Sequence, residues 1–183
     1  MASYAEWAAR FRVLLHFLLA LLFFIFAQPE PTLLPAGALV VAAGVVIRAW
    51  AAGHLRRDSA VTVSGPYAHL RHPLYLGSAI ILAGFAVVGG RLWLAALLAA
   101  YFVLVFIPVM RYEERARLAL ASEQYAAYRA QVPAFLPRLR PARIGDASSV
   151  RFSFSLYLHN QEWRGAGGCA LLLLLLWGKM LWG

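Results

Sequence analysis

Long apolar runs separated by short polar breaks define the predicted elements of this chain. Each run is close to the lower limit of the roughly 17 to 25 residues that a membrane-spanning helix needs. The five runs cover residues 11–27, 33–52, 74–89, 92–110 and 166–182. The breaks after the first and third runs are short, so each is expected to be the turn of an antiparallel helical hairpin. The pattern predicts an all-α, polytopic membrane protein with about five transmembrane helices.

The segment between the fourth and fifth runs, residues 111–165, is polar and is expected to lie on the cytoplasmic surface. Its apolar side chains recur at spacings of three and four residues, which predicts one amphipathic helix. That helix presents Leu118, Ala121, Tyr125, Tyr128 and Val132 on one face. We expect this segment to complete a site that the membrane helices begin.

Pairs of glycines mark the second and third runs. Gly37 and Gly44 are seven residues apart, as are Gly77 and Gly84, so each pair lies on one helical face. Small residues let membrane helices approach closely. We therefore expect these two helices to pack against each other through their glycines.

The composition supports an integral membrane protein. Of the 183 residues, 62% are hydrophobic, and the mean hydropathy is +0.68, far outside the range of ordinary soluble domains. The 17 basic residues outnumber the 8 acidic ones, but the arginines border apolar runs, which favours membrane lipids over nucleic acid as partners. The single cysteine, Cys169, excludes a disulfide framework within the chain.

The distribution of positive charge predicts the orientation. The two hairpin turns carry almost no positive charge, whereas the other connections are rich in arginine, including Arg56, Arg57 and Arg71. The amino terminus and the polar clusters are therefore expected on the cytoplasmic side of a bacterial-type inner membrane, with the carboxyl terminus outside. No convincing cleavage pattern follows the first run, which we interpret as a retained span.

A polar, ring-rich stretch at 65–77 lies at the entrance to the third run. Ionisable groups this close to a membrane are expensive, so they indicate a site. Pro73 suits the first position of a helix, and the amides beyond it can receive a carboxylate or phosphate. His72, Tyr67 and Tyr75 add donors and flat surfaces. The alternative is that these side chains only anchor a helix at the lipid interface.

Two adjacent acids, Glu113 and Glu114, follow the fourth run. Neither orientation nor lipid favours them there, so they require a partner. That partner is either a cationic ligand group or a neighbouring arginine such as Arg117, three residues after Glu114. The topology places both acids beside the ring-rich stretch, which predicts a pocket for a charged small molecule. His69 and His72 lack further ligands at a usual spacing, so we predict no metal site.

These blocks resemble the isoprenylcysteine carboxyl methyltransferase family and its relatives, which include the phospholipid methyltransferases. The resemblance rests on the stretch 65–77, on Glu113 and Glu114, and on the Tyr-Ala-Ala-Tyr sequence at 125–128, and it covers residues 45–140. It implies a helical membrane enzyme that binds S-adenosylmethionine on its cytosolic side. The acceptor that it implies is a lipid-like small molecule that enters from the bilayer.

The resemblance also implies the site residues. The cofactor-binding positions are Ser59, Ala60, Val61, Thr62, Tyr67, Arg71, His72, Pro73, Leu74, Tyr75 and Glu113. Arg111 and Glu114 are the candidate catalytic residues. The prenylcysteine enzymes place a carboxylate-recognising arginine where this chain has Val109, and Arg111 is the nearest substitute.

Several functions remain open at this level. The first expectation is methyl transfer to the carboxylate of an isoprenylcysteine-like substrate, and the alternative acceptor is a phospholipid or other lipid. An amine or hydroxyl acceptor would require a base, for which Glu113, Glu114 or His72 are available. A reductase of sterol-like double bonds and a non-enzymatic protein that binds lipids or a partner are the competing interpretations.

Overall fold

The computed structural model describes residues 4–56, 61–142, 144 and 150–182, and this part of the chain consists of helices, turns and loops. The predicted all-α class is confirmed. The helices are α1 (Tyr4–Phe26), α2 (Leu33–Ala52), α3 (Pro73–Val88), α4 (Leu92–Tyr101), α5 (Ile107–Leu120), α6 (Ser122–Gln131), α7 (Phe154–His159) and α8 (Glu162–Trp182).

Three helices of the described part are long and apolar enough to cross a membrane. They are α2, the continuous helix Leu92–Leu120 and α8. Two shorter apolar helices, Val13–Phe26 and Pro73–Val88, lie on the first and third hydrophobic runs. All five runs therefore lie on helices, as an all-α membrane protein requires.

The fourth helix extends beyond the hydrophobic run that predicted it. One π turn, Phe102–Phe106, joins α4 directly to α5, so the helix continues past residue 110 and ends at Leu120. Ala121 then leaves the helical conformation, with φ −141° and ψ 60°, and separates α5 from α6. The single amphipathic helix that we predicted is thus two helices. Apolar spacing alone missed the break because both helices turn their apolar faces to the same interior.

The glycines of α2 and α3 allow the two helices to pack in close contact, as predicted. A Cβ atom added at Gly44 would lie 2.7 Å from the Gly77 carbonyl oxygen. One added at Gly84 would lie 2.7 Å from the Val41 nitrogen and 2.8 Å from the Gly37 oxygen. The two backbones leave no room for a side chain at these positions.

Gly84→Ala is expected to destabilise the protein by about 1–3 kcal/mol, because rigid backbone atoms face the added methyl group. Thermal unfolding in detergent measures the effect. Gly167→Ala in α8 is the matched control, since nothing lies within 4 Å of a Cβ atom at Gly167. Equal unfolding temperatures for the two variants would contradict close α2–α3 packing.

The helical bundle has two ends of different character. We call the end where α2 finishes and α3 begins the charged end, and the opposite end the turn end. At the turn end, the connection 27–32 meets the connection 89–91, where the Gln28 amide donates to the Gly89 carbonyl at 3.0 Å. The charged end carries the predicted site.

Helix α8 is held at both ends by polar side chains. At the charged end, Glu162 pairs with Arg48 of α2, with a shortest N···O distance of 2.7 Å. At the turn end, the Lys179 ammonium donates to carbonyl groups at the end of α1. Between them, Leu176 is fully buried in the bundle core. Helix α8 therefore packs on α1 and α2 through a few strong contacts.

Candidate functional site

The loop before α3 forms one wall of the candidate site. It contains a 3₁₀ turn, Gly65–Ala68, which starts at a positive φ of 57° that favours glycine. A side chain at Gly65 would also overlap the His54 ring. The Tyr67 ring belongs to a buried cluster with Ala51 and Leu55 at the end of α2. The turn thus fixes Tyr67 against the membrane helices.

The segment 133–142 fastens this loop from the other side. Four backbone hydrogen bonds join the two stretches. The amides of Arg71 and His72 donate to the carbonyls of Pro133 (2.9 Å) and Ala134 (3.1 Å), and the amides of Arg138 and Ala142 donate to those of His69 (3.0 Å) and Ala68 (2.9 Å). The segment after α6 therefore lies against the loop before α3, although it follows that loop by about 60 residues in the chain.

Glu114 is the centre of a charged cluster. Its Oε1 accepts from Arg71 Nε at 2.8 Å and from His72 Nε2 at 3.0 Å. Arg71 also donates to the carbonyls of Val132 (2.9 Å) and Arg129 (3.1 Å), and its side chain is only 9% exposed. The internal partner of Glu114 is thus the arginine before α3. The cluster joins α5 and α6 to the two residues that precede α3, Arg71 and His72, which we call the α3 entrance.

Burial lowers the pKa of His72, and Glu114 opposes the shift through its hydrogen bond and charge. A ring whose pKa lies below the ordinary value of 6.5 is neutral at physiological pH. With Nε2 carrying the proton, the neutral ring donates to Glu114. His72 therefore orients this carboxylate without adding a second positive charge beside Arg71.

Glu113 points to a different neighbour from Glu114. The Tyr75 hydroxyl donates to Glu113 Oε1 at 2.8 Å. The Tyr75 ring meets the edge of Phe106, in the π turn, with ring centroids 5.5 Å apart. Val109 and Met110 are buried in the same apolar cluster. Glu113 thus lies at the border between polar groups and an apolar wall, and Val109 forms part of that wall.

The Tyr67 hydroxyl is buried and has no hydrogen-bond partner among the described residues. Burial raises the pKa of Tyr67 well above its usual range, while the Arg117 charge opposes the shift and the Glu162 and Glu113 charges reinforce it. The Tyr128 hydroxyl donates to the Tyr67 carbonyl at 2.8 Å and fixes the residue in place. A buried donor without an acceptor costs about 1–3 kcal/mol. This hydroxyl is therefore suited to a ligand.

The structure brings most of the predicted site residues together. Those gathered at the charged end are Tyr67, Arg71, His72, Pro73, Leu74, Tyr75, Glu113 and Glu114. Arg111 is exposed and makes no hydrogen bond or ion pair with a described residue, so it stands apart from the cluster.

The remaining predicted positions precede Tyr67 in the chain. The Thr62 hydroxyl accepts from the Arg56 amide at 3.3 Å. Val61 packs against the buried cluster that contains Tyr125 and Tyr128. Ser59 and Ala60 lie outside the described residues. Thr62 and Val61 thus contact Arg56 and the Tyr125–Tyr128 cluster.

Arg48 is a polar residue of the charged end that the sequence did not identify. Its guanidinium donates to Glu162 Oε2 from Nε at 3.0 Å, to the Leu74 carbonyl at 3.2 Å and to the Ser78 hydroxyl. An arginine within the second apolar run was a signal in itself. The partner of Arg48 could not be identified from the sequence, because Glu162 lies 114 positions later in the chain.

Comparisons with known proteins cover the part of the chain that contains both acids. Residues 34–119, which include both acids, match the family model described as phospholipid methyltransferase. The chain is 36% identical over 135 residues to the cobalt-zinc-cadmium resistance protein CzcN of Cupriavidus metallidurans. It is 32% identical over 134 residues to the nickel-cobalt-cadmium resistance protein NccN of Alcaligenes xylosoxydans xylosoxydans.

The two matches cover 70% and 72% of this chain and 62% of each relative's length. The chain therefore spans less than two thirds of the curated relatives that it matches. No solved structure matches the chain.

Proposed function

Because the chain belongs, through residues 34–119, to the phospholipid methyltransferase family within the isoprenylcysteine carboxyl methyltransferase-like superfamily, we propose that it transfers a methyl group from S-adenosylmethionine to an amphiphile in the membrane. Family membership supports methyl transfer to lipid-like molecules in general. The methyl donor, the acceptor and the residues that serve them are our proposal.

The observation that carries the proposal is the buried Tyr67 hydroxyl, which has no acceptor among the described residues and lies at the end of the bundle that holds the Glu113 carboxylate. S-adenosylmethionine carries an ammonium, a sulfonium and a carboxylate, and these groups match the residues present. Glu113, whose Oε1 accepts from the Tyr75 hydroxyl, supplies a negative charge for a cationic group, and the Tyr67 hydroxyl can donate to an anionic one. The rings of Tyr67 and Tyr75 offer surfaces for a cation or an adenine.

S-adenosylmethionine supplies a methyl group that is already activated by its sulfonium. The contribution of the protein's residues is then to align the acceptor and to exclude water. The apolar wall of Tyr75, Phe106 and Val109 suits the exclusion of water. Glu114, whose Oε1 already accepts from Arg71 and His72, acts as a positioning residue for the α3 entrance.

Two classes of acceptor are candidates. The isoprenylcysteine carboxylate is the first candidate. It requires a cation as its binding partner, and the arginines near the site are poorly placed to supply one. Arg111 is exposed, Arg71 is committed to Glu114, and Val109 occupies the buried position. A phospholipid headgroup is the second candidate, and these same observations favour it. For a headgroup amine, Glu113 is the residue placed to accept a proton.

We also propose that the charged end faces the cytoplasm. The arginines of the connections at that end, including Arg56 and Arg71, support this orientation through the positive-inside rule. It places the site where a water-soluble methyl donor is available. Helix α8 then ends on the outer side of an inner membrane.

The direct test is methyl transfer by the full chain in lipid nanodiscs. Protein and S-adenosylmethionine labelled in the methyl group are incubated with an isoprenylcysteine analogue, with phosphatidylethanolamine, or with neither. Label in the extracted lipid is the expected result, and label in one acceptor alone identifies its class. Absence of both labelled products and of cofactor binding would overturn the proposal.

Tyr67→Phe is expected to weaken S-adenosylmethionine binding about three- to tenfold, the value of one neutral hydrogen bond. It should not lower the unfolding temperature of the ligand-free protein, because the removed hydroxyl has no described partner. Tyr128→Phe is the control, since its hydroxyl bonds the Tyr67 carbonyl and its loss should cost about 1 kcal/mol of stability. Unchanged affinity in Tyr67→Phe would remove this hydroxyl from the cofactor site.

A further inference from the structure

A cavity of about 280 Å³ lies at the turn end, at the opposite end of the helices from Glu113 and Tyr67. It is open to the outside and lies between the end of α1, the start of α4 and the end of α8. Its lining residues are Ile25, Phe26, Ala27, Gln28, Arg91, Trp93 and Lys179. Ligand pockets begin at roughly 300 Å³, so this cavity suits a small group rather than a large cofactor.

Both charged residues of the cavity are cations. The Lys179 ammonium donates to the carbonyls of Phe24 (2.8 Å), Ile25 (2.8 Å) and Ala27 (2.9 Å). These bonds use all three of its hydrogens, but carbonyl groups leave its positive charge in place. No carboxylate among the described residues pairs with it.

Arg91 is exposed and makes no hydrogen bond or ion pair with a described residue. Glu30, the acid of the neighbouring turn, forms no ion pair with either cation in the part of the chain that the structure describes. Arg91 also stands directly before α4, whose first amides have no side-chain cap. The cavity therefore combines two positive charges with the positive N-terminal end of α4.

The rim of the cavity lies on the outer surface of the helical bundle. The rings of Phe26 and Trp93 meet edge to face with centroids 5.5 Å apart, and both residues are about half exposed. Aromatic side chains of this kind collect at the headgroup level of membranes. Anything bound beside them therefore has access to lipid tails as well as to the cations.

We propose that this cavity binds the phosphate group of an anionic phospholipid. The Arg91 guanidinium and the first amides of α4 donate to the phosphate oxygens, and Lys179 contributes its charge without a hydrogen bond. The acyl chains then lie along Phe26 and Trp93. A free phosphate ion would satisfy the same donors, but it would leave the aromatic rim unused.

Such a lipid would join the ends of three helices that make few direct contacts with one another there. Helix α8 has one fully buried residue, Leu176, and its turn end is attached to α1 by Lys179. A phosphate held between Arg91 and Lys179 would add α4 to that attachment. We expect the site to support the fold of α8 and to leave the methyl-transfer site unaffected.

Thermal unfolding of the delipidated full chain in detergent tests the proposal. Phosphatidylglycerol, phosphatidylcholine and sodium phosphate are titrated separately. We expect a concentration-dependent rise in unfolding temperature with phosphatidylglycerol, a smaller rise with phosphatidylcholine and none with phosphate. Arg91→Gln should weaken the apparent affinity for phosphatidylglycerol about tenfold, the range of a charge-assisted hydrogen bond.

Arg140→Gln is the matched control, because Arg140 is also exposed and lies in the segment 133–142 at the charged end. It should retain the wild-type response. Equal responses of Arg91→Gln and wild type, or of the two lipids, would overturn the proposal. A rise with sodium phosphate that equals the rise with phosphatidylglycerol would identify a site for a free anion instead.

Discussion

Glu114→Gln is expected to destabilise the protein by about 3 kcal/mol, because it leaves the Arg71 guanidinium buried without its counter-ion. For a chain of this length, the unfolding temperature should fall by about 6–12 °C. Thermal unfolding in a fixed detergent measures the shift. Glu123→Gln, an exposed acid of α6, removes the same charge and should change the temperature little.

A double variant distinguishes the charge from the shape of the cluster. Replacing a buried ion pair with apolar residues of similar size is often neutral, whereas removing one partner is costly. Arg71→Met combined with Glu114→Leu should therefore recover part of the stability lost in Glu114→Gln. If Glu114→Gln unfolds at the same temperature as Glu123→Gln, Glu114 does not hold the α3 entrance.

Glu113→Gln is expected to weaken S-adenosylmethionine binding by about thirtyfold and to leave the fold intact. A hydrogen bond to a charged group contributes about 1.5–3 kcal/mol, and the amide lacks that charge. The amide oxygen can still accept from the Tyr75 hydroxyl, so the local packing is retained. Equilibrium binding of labelled cofactor to the purified protein measures the change.

Glu123→Gln again serves as the control for Glu113→Gln, and it should bind the cofactor like wild type. Wild-type affinity in Glu113→Gln would exclude Glu113 as the cofactor's ion-pair partner. The two adjacent acids should thus separate experimentally, with Glu114 acting on stability and Glu113 on binding. Their different partners, Arg71 for Glu114 and Tyr75 for Glu113, are the reason.

The helices were predictable because their signals are local. Each apolar run predicted a helix, and the spacing from Gly77 to Gly84 predicted the face of α3 that packs on α2. The break at Ala121 was not predictable, since alanine itself favours a helix. Ala121 nevertheless leaves the helical conformation, with φ −141° and ψ 60°, against its own preference.

The residues that lie together at the charged end could be predicted from the sequence, but their pairings could not. Charge and topology predicted that Glu113, Glu114 and the ring-rich stretch share one face of the membrane, and the structure brings them together at one end of the bundle. The partner of Glu114 could have been a ligand, Arg117 or another residue. Which of these it contacts depends on side-chain directions, and sequence spacing does not reveal them. The contact between Arg48 and Glu162 depended on where α8 packs, and the sequence pattern contained no information about that.

The two attachments of α8 also define a length. Glu162 and Lys179 are 17 positions apart on one helix, which corresponds to about 26 Å at 1.5 Å per residue. Because Glu162 is tied to α2 and Lys179 to α1, α8 has little freedom to tilt. The apolar core of a typical bilayer is about 30 Å thick. The protein should therefore be matched to a thin bilayer, or should thin the surrounding lipid locally.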